Sequence, residues 1–179
     1  MRKATVEVWA YCLMPNHVDL ILVLDTLDGL ARALGAAHRR WANFVNARGR
    51  WRGHLFDGRP ASVAMDEAHL LAAVRYVAMN PVHARLAARA RDWRWSSVRA
   101  HLVGADDGLV TVAPILKPHR RFRRSGGRRW RASIDDALRK AELTGRPVGT
   151  AAFIADLERR LGRPIVRRAA SRKPADPSR

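Results

Sequence analysis

Four side chains have the types and spacing for metal-assisted nucleophilic chemistry. His17 and Asp19 stand two residues apart in a run that reads as a strand, so both leave the same face. An imidazole beside a carboxylate offers two ligands to a hard divalent ion such as Mg²⁺ or Mn²⁺. The plainer alternative is an aspartate that caps a turn at the strand start. Tyr76 and Asn80 are four residues apart on a predicted helix and share its face. A tyrosine there can act as a covalent nucleophile, and an amide oxygen can complete a metal shell. A core aromatic and a helix cap before Pro81 are the alternatives for this pair.

Two kinds of element must position these groups. Val6, Val8, Ala10 and Cys12 alternate with Glu7, Trp9 and Tyr11, which predicts a half-buried strand. Met14-Pro15-Asn16 breaks it, and Val18 to Leu24 supplies the second arm of a hairpin. Leu27 to Asn46 has helical spacing, with Leu27, Leu30, Leu34, Trp41, Phe44 and Val45 on one face. Gly49 to Pro60 reads as a loop, and Ala61 to Met65 as a short strand. Asp66 is a natural N-cap for a helix that runs to Met79, and Pro81 ends it near Asn80. Ser133 to Leu143 and Thr150 to Leu161 read as short amphipathic helices, with Asp135 and Asp136 in the first turn of the former.

Charge narrows the partner. The 179 residues carry 34 Lys and Arg against 16 Asp and Glu, a net charge of +18. Self-repulsion on that scale points to a polyanion, because neutralised phosphates release counterions and supply affinity. Arginine dominates, and its planar fork suits phosphate or guanine. The single cysteine, Cys12, excludes a disulfide framework and an all-cysteine zinc site. No apolar run approaches the about 20 residues that span a bilayer. The N-terminus lacks the order of a secretory signal, so a cytoplasmic, nucleoid-associated protein with no membrane partner is expected.

The run Ala10-Tyr11-Cys12-Leu13-Met14-Pro15-Asn16-His17-Val18-Asp19-Leu20 resembles the signature of REP-associated tyrosine transposases, the single-tyrosine HUH enzymes. Four further stretches follow in the family's order: Gly53 to Arg59, Arg75 to Val82, Trp93 to Ser97, and Thr144 to Gly149. The resemblance implies an α+β fold, a ferredoxin-like antiparallel sheet with packed helices and a basic helical tail. It implies a nickase and strand transferase acting on single-stranded or hairpin DNA, the hairpins being those of repetitive extragenic palindromes. By the same resemblance Tyr76 is the nucleophile that becomes linked to a 5′ phosphate. His17, Asp19 and Asn80 then hold Mg²⁺ or Mn²⁺, with Asp19 standing where the family has a second histidine. Aspartate binds such ions but adds a negative charge beside a phosphate and shortens the ligand's reach. The strand and helix with which family members usually begin have no counterpart before the hairpin. A domesticated relic that binds the hairpin without cutting it is the alternative to an enzyme. Family members occur as monomers and as dimers, and no small-molecule substrate is implied.

The DNA contacts are expected in two regions. Arg50, Arg52, His54 and Arg59 interleave with Trp51 and Phe56, a pattern in which arginine holds phosphates and rings stack on unpaired bases. Inward-packed rings with solvated arginines explain it equally well. Arg120, Arg121, Arg123, Arg124, Arg128 and Arg129, with Phe122 and Trp130, form a cluster suited to sequence-independent phosphate contact. Arg146 and Arg163 each lie in a Gly-Arg-Pro tripeptide, which can enter a minor groove or merely punctuate helices. Trp93 and Trp95 are assigned to packing. His38, His69, His83, His101 and His119 lack metal-ligand spacing. The expected organisation is a transposase-like domain over 1–116, a basic linker over 117–132, a DNA-contacting helical tail over 133–166 and a disordered end over 167–179.

Overall fold

The computed structural model describes residues 6–26, 28–56, 58, 60–117 and 132–166, with side chains from 137 onward in the last stretch. Leu27, Arg59, the Arg120 to Arg131 cluster, His119, the 167–179 end and the Asp135 and Asp136 side chains lie outside the described residues. The chain is α+β. Strands β1 (Val6–Leu13) and β2 (Val18–Leu24) precede helices α1 (Gly29–Gly49) and α2 (Glu67–His83). A 3-10 turn (Ala90–Asp92) and the short helices α3 (Val98–Val103) and α4 (Ala113–Leu116) follow, then α5 (Ala132–Thr144) and α6 (Ala151–Leu161).

β1 and β2 form a two-stranded antiparallel sheet with Cys12 opposite Asp19 and Ala10 opposite Ile21. A register shift between Val8 and Ala10 leaves Trp9 unpaired. Opposed residues point to one face, and here that face meets α2. Ala10, Cys12 and Ile21 join Leu70, Ala73, Val74 and Val77 in the main core. The neighbouring Tyr11 points to the other face, onto Ala100, Val110, Val112 and Leu116. The outer edge of β1 is occupied by irregular chain rather than a third strand. Leu13 N–H donates to Trp95 O, Ser97 N–H to Tyr11 O, and Thr111 N–H to Val8 O, at 2.8, 3.0 and 2.8 Å. Single bridges, Cys12 with Ser96 and Val8 with Val110, mark the same contacts.

α2 starts as its sequence dictates. The Asp66 carboxylate accepts from His69 N–H at 3.1 Å, and Glu67 stands in the first turn. Its end departs from expectation, because Pro81 lies inside the helix, which runs on to His83. A proline this close to the C-terminus removes one ladder bond and little else. The Pro81 carbonyl is satisfied by Leu86 N–H at 2.8 Å, and Ala84 N–H closes on Asn80 O at 2.9 Å. The strand expected over Ala61 to Met65 is a single bridge between Met65 and Val148, made by Val148 N–H to Ala64 O at 2.9 Å and Asp66 N–H to Val148 O at 3.3 Å. α5 packs against α2, with Leu138 and Ala141 buried in the main core.

α1 keeps the expected helical span but not the burial its apolar spacing suggests. Gly29 is its one buried residue, while Trp41 and Phe44 are 54% and 50% exposed. Trp93 packs against the core as expected and donates to Leu13 O at 3.0 Å. Trp95 does not: it is exposed, with the Arg94 guanidinium 4.4 Å from its ring centre. No described helix is long and apolar enough to cross a membrane.

Candidate active site at the hairpin end

The site grows from the turn that joins the two strands. Met14 N–H donates to His17 O at 2.9 Å, closing the loop and leaving His17 at the mouth of β2, largely in solvent. His17 Nδ1 lies 2.8 Å from Asn16 Oδ1, and Nε2 faces Asp19 Oδ2 at 3.5 Å.

Asp19 sits opposite Cys12 and points toward α2. There the Asn80 side-chain amide donates to Asp19 Oδ2. This contact carries the helix face that bears Tyr76 and Asn80 against the hairpin end. His17, Asp19 and Asn80 are thereby brought together, and Tyr76 stands one helical turn away on the same face. Cys12 lies beneath Asp19, and its thiol is pushed up to about 12 by burial and then by the Asp19 charge. Both effects disfavour its thiolate form.

Of the two tyrosines, Tyr11 is engaged on the opposite face of the sheet. Its hydroxyl donates to Asp107 at 2.7 Å, and burial followed by Asp107 raises it to about 12. Tyr76 is the one at the site, half-buried, with its hydroxyl donating to Glu142 Oε2 at 3.2 Å. Burial first, then the Glu142 carboxylate, raises the Tyr76 phenol, while Arg139 acts in the opposite sense. Glu142 is itself raised, by desolvation and by the Asp19 charge, against the lowering effect of Tyr76, His17 and Arg139. Sequence reasoning missed Glu142. It lies 66 residues from Tyr76, and its helical spacing marks only a solvent-facing position on α5.

Among the described residues, no group of three or more His, Cys, Asp or Glu is placed to share a metal ion. The candidate ligand set is instead one imidazole, one carboxylate and one amide. These hard donors fit Mg²⁺ or Mn²⁺ with the remaining positions left to water or phosphate. The fit requires Asn80 to rotate its amide, because it now offers its N–H₂ to Asp19. An amide oxygen turned against that carboxylate is favourable only with a cation beside both.

The expected DNA-contacting residues are exposed wherever they are described: Arg50, Arg52, His54, Arg146 and Arg163. The rings among them divide. Trp51 is 64% exposed, lying over the end of α1, where a Cβ on Gly49 would come within 2.6 Å of its indole. Phe56 turns back and stacks on His38 at 4.0 Å. Both Gly-Arg-Pro tripeptides punctuate helices, with Gly145 and Gly162 in the left-handed region at φ 63° and 62°. The first is also anchored. Val148 N–H donates to Ala64 O at 2.9 Å, and Thr150 N–H to Asp66 Oδ2 at 2.7 Å.

Comparison with family models, curated proteins and solved structures returned no match.

Proposed function

We propose that this chain is a DNA-binding tyrosine transposase or nickase acting on single-stranded hairpin DNA, with Tyr76 as nucleophile. The observation that carries the reading is the Asn80–Asp19 hydrogen bond, which sets the Tyr76 face of α2 against His17 and Asp19. His17, Asp19 and Asn80, from two distant segments, are in contact at one end of the hairpin, and Tyr76 lies one helical turn before Asn80. The hairpin backed by α2 would be the centre of a ferredoxin-like sheet. The net charge of +18 and the exposed Trp51 supply a surface for a single strand, and such a protein would work beside the nucleoid.

In this mechanism the arginines hold the backbone and Tyr76 Oη attacks phosphorus. The Oη–P bond forms as the P–O3′ bond breaks, leaving a 5′ phosphotyrosine and a 3′ hydroxyl that has gained a proton. The intermediate conserves the bond energy for rejoining. His17, Asp19 and Asn80 would hold a divalent ion, which when bound withdraws charge from the scissile phosphate.

The test is incubation of the protein with labelled hairpin DNA and Mn²⁺ or Mg²⁺, beside Tyr76→Phe, resolved on a denaturing gel. A covalent band that needs both the ion and Tyr76 is expected. One arrangement favours a second reading, a hairpin-binding relic without catalysis. Asp19 and Glu142 both place carboxylates where a phosphate must approach. Hairpin bound on a native gel with no covalent band would select the relic.

A further inference from the structure

We propose that Glu142 is a catalytic residue, the proton acceptor for the Tyr76 hydroxyl. The inference rests on the nickase reading and adds to it a residue outside every motif that suggested that reading.

Geometry carries it. The Tyr76 hydroxyl donates to Glu142 Oε2 at 3.2 Å, within reach for direct transfer in the attacking state. Among the described residues no other base is in contact with Oη: Arg139 also hydrogen-bonds it, but as a donor. Asp19 is occupied by Asn80 and His17, and an amide is not basic. The placement of Glu142 follows from packing. Its neighbour Ala141 and Leu138, one turn earlier, are each 5% exposed in the core shared with α2. Gly145 N–H closes the end of α5 on Ala141 O at 2.7 Å. The carboxylate is thus delivered from a fixed helix, while its own side chain remains open to substrate. The groups facing it are Tyr76 on α2, Asp19 on β2, His17 before β2, and Arg139 on α5.

A nucleophile held as phenol needs such a partner. As Oη bonds to phosphorus, its proton passes to Glu142 Oε2. The P–O3′ bond breaks, and the departing 3′ oxygen takes a proton from water, leaving hydroxide. In the rejoining step hydroxide takes the 3′ hydroxyl proton back, the O3′–P bond forms as Oη–P breaks, and Glu142 returns its proton to Tyr76. Water is the one co-reactant, and charge and atoms balance.

The test is single-turnover adduct formation on labelled hairpin DNA with Mn²⁺, comparing wild type, Glu142→Gln and Glu142→Asp, with hairpin affinity measured in parallel. Glu142→Gln keeps the shape and removes the base. It should slow adduct formation by about 100-fold, the low end for general-base loss, with hairpin affinity not reduced. Its rate should also climb with pH as hydroxide substitutes, whereas the wild type levels off. A purely structural role would not change that profile. Glu142→Asp should fall between the two, which guards against a folding defect in the glutamine variant. Wild-type adduct with a Gln variant of equal rate and equal pH profile overturns the role of Glu142 while leaving the nickase reading intact. No adduct from the wild type overturns both.

Discussion

The carboxylate at position 19 has two duties: it accepts from Asn80, and it faces His17 Nε2 at 3.5 Å. If Asp19 is a metal ligand, as proposed, truncating it takes the one anionic donor from the ion. Asp19→Ala is therefore expected to weaken Mn²⁺ binding by about tenfold, ~1.4 kcal/mol, in a calorimetric titration. An unchanged titration would remove position 19 from the metal shell. His17, Asp19, Tyr76 and Asn80 are legible in the sequence because strand and helix periods put each pair on one face. That the two pairs meet is a tertiary fact, suggested by family resemblance and visible in the Asn80–Asp19 contact. Glu142 is illegible for a different reason: its partner is 66 residues away, and nothing local distinguishes it from a solvated helix charge.

Between elements, Asp66 joins more than its own helix. One carboxylate oxygen caps α2 through His69 N–H, and the other receives Thr150 N–H at the start of α6. Burial acts to raise its pKa, but the Thr150 backbone, His69 and the Thr150 side chain outweigh that and hold it at about 2 against an ordinary 3.8. For a depressed carboxyl, the stabilisation is present above the ordinary value and lost as pH falls through the folded one. Asp66→Ala should cost about 1–2 kcal/mol at neutral pH in urea unfolding. The difference from wild type should shrink as the solution is acidified from 3.8 toward about 2. A gap that persists at the acid end would mean that the charge of Asp66 is not what stabilises the junction. The limits of α1, α2, α5 and α6 are largely readable from caps and apolar spacing. What covers each face is not. The apolar stripe of α1 identifies a face, yet Trp41 and Phe44 on it are half in solvent. Periodicity reports that a face exists and is silent about its neighbour.

At the scale of the whole molecule, if the chain binds DNA as proposed, the charge of +18 should make that affinity fall steeply with salt. Ring stacking should not share that dependence. Trp51→Ala is expected to weaken single-strand binding by about 1–3 kcal/mol, the worth of one stacked base, by a similar factor at low and high salt in an anisotropy titration. An unaltered dissociation constant would return Trp51 to an ordinary exposed side chain. The architecture also sets an order of events during synthesis. The hairpin is local and can form as soon as Leu24 has been made, but the edge of β1 is sealed later, by Trp95, Ser97 and Thr111. Glu142 joins Tyr76 later still, from a helix that docks once Leu138 and Ala141 exist. A ribosome moving along this message would therefore expose a bare strand edge first and close it tens of residues later. The contact to Tyr76 would come last, so a chain interrupted before α5 would carry that tyrosine without its carboxylate partner.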